Sequence, residues 1–214
     1  MTSTNSITAL LRGHYESTHR QHGDTSMGVD WGTNQENVIS RHNAILEVVT
    51  PGTSGCSLLD VGCGYGSLLE TIKKRNIDIA YTGIDVVGSM IASGKRKYPR
   101  QEWVNADFIH WTPSAKYDYV VANGILTQKL SASTLAMNKY AQALILKMFE
   151  VCRIGISFNL MSTFVNFQKD NLYYRCPAEM LAWCMAEVSP HARLNASYKP
   201  WYEYTVTLFR GVNT

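Results

Sequence analysis

The chain has 214 residues, which is enough for one domain with a sizeable core but cramped for two. Hydrophobic residues make up 45% and charged residues 17%, which excludes a disordered or low-complexity chain. The formal net charge of +3 is too small to indicate a nucleic-acid-binding protein by itself.

Cysteine usage and apolar runs indicate the compartment. The five cysteines are irregularly spaced and include no Cys-x-x-Cys pair, which favours reduced thiols over disulfides or a structural zinc site. Residues 1–13 contain no apolar stretch of signal-peptide length, and no apolar run reaches the roughly 18–20 residues of a membrane span. These features predict a soluble, cytoplasmic protein with no metal centre and no membrane partner.

The chain begins with a polar segment, residues 1–34, whose weak periodicity predicts an arm or short helix lying over a main domain at 35–214. Thr33 and Glu36 have the spacing of a capping box, which predicts a helix from near Asn34 that ends before Pro51.

Strands and helices then alternate. Short apolar runs predict strands near residues 56–61, 80–84, 102–105, 117–121 and 155–161. Helices are predicted at 67–75, after an N-cap at Ser89, at 133–152, and at 177–188 with Pro177 in the first turn. Two final runs, 194–198 and 203–209, predict an antiparallel pair at a sheet edge. This order predicts an α/β fold with helices on both faces of a mixed sheet and ligands at the strand carboxyl ends.

A glycine-rich turn, Gly62-Cys63-Gly64-Tyr65-Gly66, follows the first predicted strand. Glycines let a ligand lie against the backbone, and the next helix offers free N–H groups. A dinucleotide site would have G-x-G-x-x-G, but Ser67 stands three residues after Gly64. Asp60, two residues before the turn, suits a ligand with positive charge better than a pyrophosphate.

Two further acids fall at strand ends. Asp85 lies 25 residues after Asp60, where a carboxylate accepts both hydroxyls of a ribose, and Val86 adjoins it. Asp107 and Phe108 follow the third strand and are suited to bond an adenine amino group and flank the ring. The turn together with both acids is a specific signal for an adenosyl ligand.

On these motifs the sequence resembles the Rossmann-like S-adenosylmethionine-dependent methyltransferases. The resemblance covers about residues 35–214 and rests on segments 58–66, 105–107 and 117–123 together with Asp85. It implies a seven-stranded sheet with the last strand antiparallel, and S-adenosylmethionine as the bound methyl donor. Segments 15–31 and 171–174 further resemble small bacterial methyltransferases from biosynthetic clusters, a resemblance that names no substrate. A small-molecule acceptor is predicted because the chain is too short for an appended RNA- or protein-recognition domain.

Three kinds of side chain remain open between a functional and a structural role. Arg41, on the apolar stripe of its helix, either holds the methionine carboxylate of the donor or forms a salt bridge. Trp31 either closes over the donor or substrate or anchors the arm by packing. His19 and His22 are possible general bases, with a solvated or structural histidine as the alternative.

Asn123 follows the fourth strand and is predicted to line the methyl-transfer cavity, as both a donor-binding and a catalytic residue. It is followed by Gly-Ile-Leu without prolines, which argues against methyltransferases that act on the exocyclic amines of DNA. The residues predicted to shape the acceptor pocket are Tyr15, His19, Asn159, Tyr173 and Tyr202.

The predicted function is therefore methyl transfer to an oxygen or nitrogen of a small molecule, by a monomer or homodimer that binds no nucleic acid. A nicotinamide-dependent oxidoreductase is the first alternative, but the glycine spacing and the missing Tyr-x-x-x-Lys pattern count against it. The second is a non-catalytic subunit that binds the same donor, and a terminal arm built to close a cavity counts against that.

Overall fold

The computed structural model describes residues 4–52 and 54–211. Residues 1–3, the start of the predicted arm, and residues 212–214, the end of the predicted main domain, lie outside the described residues. The helices are α1 Thr4–His22, α2 Gln35–Leu46, α3 Ser67–Lys74, α4 Gly88–Lys97, α5 Thr134–Val151 and α6 Pro177–Glu187. The strands are β1 Cys56–Val61, β2 Ile79–Asp85, β3 Glu102–Asn105, β4 Tyr117–Ala122, β5 Cys152–Ser162, β6 Tyr174–Arg175, β7 Ala192–Asn195 and β8 Glu203–Phe209.

One sheet runs in the order β3-β2-β1-β4-β5-β8-β7, with the two-residue β6 paired to the end of β5. Strands β1 to β5 are parallel to one another, whereas β8 is antiparallel to both β5 and β7. The predicted seven-stranded mixed α/β sheet is confirmed, with β6 as an addition. The closing pair is also confirmed, but only β7 lies at the edge, because β8 pairs with β5 along its whole length.

Helices cover both faces because strand side chains alternate between them. On one face, Leu59 and Val120 pack in a core that includes residues of α1, α5 and α6. On the other, Leu58 and Val121 pack in a second core with residues of α2 and α3. No helix in the described part of the chain is long and apolar enough to cross a bilayer.

The N-terminal segment is more regular than predicted, since α1 extends over 19 residues. Its buried residues Ile7, Leu11 and His19 follow a four-residue repeat, which places them on one face of the helix. Because the polar His19 occupies one of these buried positions, the hydrophobic periodicity of 3.6 residues that indicates a helix is weak in this segment.

Two predicted helix caps are wrong. Asn34, not Thr33, caps α2, because its side chain accepts the Asn37 N–H at 3.2 Å. Ser89 does not cap α4, because the N-cap of that helix is Val87. The Ser89 hydroxyl instead lies 2.9 Å from Nδ1 of His19. The start of α6 at Pro177 is as predicted.

Candidate active site

A cleft lies beside the glycine turn, at the carboxyl ends of β1, β2 and β4. The strand order reverses between β1 and β4, which is where ligands of such sheets bind. The cleft encloses about 890 Å³, including space open to solvent, a size suited to a small-molecule ligand. Its predicted lining residues are Tyr15, Trp31, Asp60, Gly62, Cys63, Gly64, Asp85, Val86, Asp107, Phe108 and Asn123.

The glycine turn needs glycine for two reasons. Gly62, Gly64 and Gly66 all have positive φ, at 69°, 55° and 87°. A Cβ on Gly66 would lie 2.4 Å from the Trp103 ring, so the indole fills the space that a side chain would take. Helix α3 follows the turn directly, and Ser67, its first residue, lines the cleft.

Asp60 is buried at the floor of the cleft, 2% exposed. The Tyr81 hydroxyl donates a hydrogen bond to its Oδ2 at 2.7 Å. Burial raises the pKa of Asp60 to about 7; the bond from Tyr81 opposes this shift, and the charge of Asp85 adds to it. A cation brought into the cleft would therefore meet a carboxyl group that ionises easily in its presence.

Asp85 is fixed by the backbone around it. Its Oδ2 accepts the Gly64 N–H at 2.9 Å and its Oδ1 accepts the Val87 N–H at 2.8 Å, which ties the end of β2 to the glycine turn. Burial raises the pKa of Asp85, and these backbone bonds oppose the rise. Each oxygen keeps a lone pair for a ligand hydroxyl.

Asp107 and Phe108 line the cleft from the segment that follows β3. Asp107 Oδ1 accepts the Ile109 N–H at 3.1 Å, while Phe108 is buried in the core on the α1 side of the sheet. The structure thus brings the three predicted acids into one cleft. Its lining residues include no lysine or arginine.

Asn123 has an unusual environment. Its side chain is buried and lines the cleft, and neither its Oδ1 nor its Nδ2 has a hydrogen-bond partner among the described residues. The next residue, Gly124, has φ of 90° and donates its N–H to Asn159 Oδ1 at 2.7 Å. Asn159 therefore lies behind the turn, which it holds in place, rather than among the lining residues.

A buried ion pair holds the Asn159 side chain in place by a hydrogen bond. Asn159 Nδ2 donates to Glu203 Oε2 at 2.9 Å, and Arg41 donates to both Glu203 oxygens at 2.6 to 3.0 Å. The structure thus contains the salt bridge that was one alternative for Arg41. Nη1 of Arg41 is buried and has no hydrogen-bond partner in the described part of the chain, and Arg41 does not line the cleft.

Trp31 joins this network to the cleft wall. Its ring centroid lies 5.3 Å from the Arg41 guanidinium carbon, which is a cation–π distance. A Cβ on Gly124 would lie 2.7 Å from Trp31 Nε1, so the indole rests directly on the turn after β4. Trp31 therefore both packs as an anchor and lines the cleft.

The predicted histidine bases lie elsewhere. His19 Nε2 lies 2.8 Å from Asp24 Oδ1 and its Nδ1 lies 2.9 Å from the Ser89 hydroxyl, so both ring nitrogens have partners. His22 is half-buried at the end of α1. The structure brings neither His19 nor His22 into the lining of the cleft.

Two predicted acceptor residues are also remote from it. The Tyr173 hydroxyl donates to Asn138 Oδ1 at 2.7 Å on the α5 side of the sheet. Tyr202 lines a different groove, at the end of β5. Of the predicted acceptor set, Tyr15 lines the cleft, and burial raises the pKa of its hydroxyl.

The sequence did not single out His42, which lines the cleft from α2. Its Nδ1 lies 2.7 Å from the Thr71 hydroxyl, and Nε2 lies 3.5 Å from that of Ser67. Burial lowers the pKa of His42 to about 4, and the charge of Arg41 acts in the same direction. Tyr140 of α5 was missed as well, because nothing in the local pattern of that helix distinguishes it from a core residue.

A doubly wound sheet with a glycine turn and three carboxylates at its switch point defines an α/β enzyme that binds a nucleoside ligand carrying positive charge. Among the described residues, no group of three or more His, Cys, Asp or Glu is placed to hold a metal ion.

Comparison with known proteins identifies the family. Residues 59–153 match a family model described as a methyltransferase domain. The chain is 31% identical over 153 residues to methyltransferase Rv1506c of Mycobacterium tuberculosis H37Rv, covering 70% of this chain and 90% of that protein. Trans-aconitate 2-methyltransferase of Rhodopseudomonas palustris HaA2 is 29% identical over 82 residues, only 30% of its length.

Solved structures show the same fold over nearly the whole chain. Magnesium protoporphyrin IX methyltransferase of Synechocystis PCC 6803 with bound SAM has a TM-score of 0.67 at 16% identity, covering 96% of this chain and 97% of that one. The DhpI–SAM–HEP complex has a TM-score of 0.63 at 14% identity, covering 96% and 98%. The chain belongs to the S-adenosylmethionine-dependent methyltransferases.

Proposed function

We propose that this methyltransferase acts on an oxygen or nitrogen nucleophile of a small-molecule acceptor. The observation that carries the donor assignment is the charge of the cleft, whose lining includes Asp60, Asp85 and Asp107 and no basic side chain apart from His42, neutral at pH 7. Carboxylates in a low-dielectric cleft stabilise a cation, and the sulfonium of S-adenosylmethionine is one.

The residues present fit the donor group by group. Asp60 suits its ammonium group, Asp85 its ribose hydroxyls, and Asp107 with Phe108 its adenine, while the turn at Gly62 to Gly64 leaves room for the backbone to approach it. When bound, the donor supplies an activated methyl group for an in-line displacement. The task of the protein residues is then to align the acceptor with that methyl, which accounts for much of such an enzyme's rate.

Arg41 stays a predicted ligand of the methionine carboxylate. Nε and Nη2 donate to Glu203, whereas Nη1 is the guanidinium nitrogen that has no acceptor among the described residues. This nitrogen is buried and unpartnered, which costs free energy unless a ligand pairs with it.

Asn123 is the residue we assign to the acceptor. A buried amide without hydrogen-bond partners costs about 1–3 kcal/mol. A methylated molecule that offered the amide one hydrogen-bond donor and one hydrogen-bond acceptor would remove that cost. Tyr15 and Trp31 close the same end of the cleft from the N-terminal segment. We therefore propose residues 4–34 as a cap over the site.

The nucleophile is one that needs no histidine base. His42 lines the cleft, but its depressed pKa keeps it neutral and both ring nitrogens lie near hydroxyl groups. An ionised carboxylate or phenolate, or an unprotonated amine, reacts without such a base. A relative named for trans-aconitate, a carboxylic acid, agrees with this but matches only 38% of the chain.

The test combines binding with label transfer. Calorimetry with S-adenosylhomocysteine should show binding, and methyl-labelled S-adenosylmethionine should label compounds in a small-molecule extract. Asp85→Asn should weaken binding about 10- to 100-fold, since the amide can accept from only one of the two N–H groups. Asp78→Asn, an exposed acid at the other end of the same strand, is the matched control.

Absence of binding would contradict the donor assignment. Binding without label transfer in the extract would contradict the proposal of a small-molecule acceptor and favour a non-catalytic role. A cytoplasmic role in small-molecule biosynthesis, and a monomeric or homodimeric state, belong to the same proposal.

A further inference from the structure

A second concavity, here called the aromatic groove, lies at the end of β5. It encloses about 540 Å³, including space open to solvent, and is lined mainly by Met161, Phe167, Leu172, Tyr174, Trp201 and Tyr202. None of its lining residues also lines the donor cleft. The groove is thus a separate site that neither the donor nor the family comparison assigns.

Two of its aromatic side chains are unusually exposed. Phe167 is 72% and Trp201 59% exposed, although large aromatic side chains gain most from burial. The Trp201 and Tyr202 rings meet nearly edge to face, with centroids 6.0 Å apart. A clustered, concave set of exposed aromatics marks a binding surface.

The walls of the groove are held by the sheet and its loops. The Ser162 N–H donates to the Tyr202 carbonyl at 2.8 Å, and the Lys169 N–H donates to the Tyr174 hydroxyl at 3.1 Å. Tyr173 N–H donates to the Thr127 carbonyl at 2.8 Å, which ties the same loop to the segment after β4. The concavity is therefore built by backbone contacts and exists without a ligand.

The charge of the groove selects the ligand. Lys169 is its one charged lining residue, and the structure records no ion pair of its ammonium group with any described residue. The lining includes no acid. Stacking surfaces beside an unpaired cation are complementary to a flat ring that carries an anionic group.

Strand β5 links the groove to the turn after β4. Asn159 holds the turn at Gly124, and Met161 stands two residues further along β5 on the same face of the sheet. That step is roughly 7 Å. The groove and the turn beside Asn123 are therefore positioned by neighbouring residues of one strand.

We propose that the aromatic groove binds planar aromatic anions. That its ligand is the outer part of the methyl acceptor rests on the proposed function; the binding itself does not. Carboxylates and sulfonates share the relevant chemistry, so either can report on the site.

The probe is 8-anilinonaphthalene-1-sulfonate, titrated by fluorescence with S-adenosylhomocysteine at saturation to fill the donor cleft. We expect it to bind the full-length chain, and to do so about tenfold more weakly in Trp201→Ala and in Phe167→Ala. Lys169→Gln should weaken the sulfonate about threefold and leave the neutral N-phenyl-1-naphthylamine unchanged. Leu135→Ala, an equally exposed apolar residue of α5, should change nothing.

The proposal is overturned if the probe does not bind, if S-adenosylhomocysteine displaces it, or if the groove variants bind it like the parent chain. It is also overturned if sedimentation shows a dimer that Trp201→Ala converts to a monomer, since a second copy would then occupy the groove. Calorimetry of S-adenosylhomocysteine on the same samples separates this outcome from failure of the donor assignment.

Discussion

Breaking the buried pair of Arg41 and Glu203 by neutralising one partner should strongly destabilise the fold, and Glu203→Gln tests this. The two side chains are 7% and 3% exposed, and three N–H···O contacts of 2.6 to 3.0 Å join them. The substitution keeps the shape of the side chain but removes its charge. Arg41 would then be left as a buried cation without a counter-ion.

The expected loss follows from those contacts. Breaking a buried pair by neutralising one partner costs about 3–5 kcal/mol. The Gln carbonyl can still accept one bond, from Arg41 or from Asn159, which favours the lower half of this range, roughly 3–4 kcal/mol. Against a total free energy of unfolding of about 5–15 kcal/mol, the loss should shift the urea midpoint by roughly 1–2 M.

The assay is equilibrium urea unfolding followed by circular dichroism. Glu179→Gln is the matched control, because that glutamate is 70% exposed and lies 3.8 Å from Arg175; it should cost less than about 0.5 kcal/mol. The pair Arg41→Met with Glu203→Leu should recover much of the loss. A loss below about 1 kcal/mol for Glu203→Gln, or a double variant no more stable than the single one, would refute the reasoning.

Three further outcomes follow from the site. Binding of S-adenosylhomocysteine near pH 6.5 should release a proton from Asp60, because the ammonium group of the ligand lowers a pKa that is about 7 in the free protein. Calorimetry in two buffers of different ionisation enthalpy should show the release, and Asp60→Asn should abolish it. The pKa of His42 in the folded protein is about 4, below its usual 6.5, so the folded state favours the neutral ring. The contribution of His42 to the free energy of unfolding should therefore fall by about 3 kcal/mol as the pH falls from 6.5 to 4. Urea unfolding of His42→Gln should lack this pH dependence. Gly66→Ala should cost at least about 2 kcal/mol more than Gly52→Ala in thermal unfolding, since both have positive φ but only the first meets Trp103; equal losses would contradict the close-packing argument.

The sheet and the donor cleft could be predicted because their signals are local. Asp60 is the last residue but one of β1, Asp85 is the last residue of β2, and Asp107 follows β3 by two residues, so the positions of these acids are readable within short windows of sequence. The parallel arrangement then brings the strand ends to one edge without further information. The structure agrees, since all three acids line one cleft.

Features that depend on distant partners could not be predicted in this way. Nothing near Arg41 identifies Glu203 as its partner, and nothing in α2 shows that His42 faces the cleft. The helix α1 was underestimated because His19, a polar residue, occupies a buried position and is satisfied by Asp24 and Ser89. A sequence pattern predicts that a polar side chain is exposed to solvent, because its burial requires hydrogen-bond partners that only the tertiary structure supplies.

The ion pair also has a consequence for synthesis on the ribosome. Arg41 and Glu203 are separated by 162 positions, so Arg41 has no counter-ion until β8 has emerged. Domains generally fold as units, and a contact this remote in sequence forms only after the closure entropy of a long loop has been overcome. The support beneath the turn at Gly124 is therefore completed among the last steps of folding, and nascent chains that stop short of β8 would carry the glycine turn but lack an ordered acceptor end.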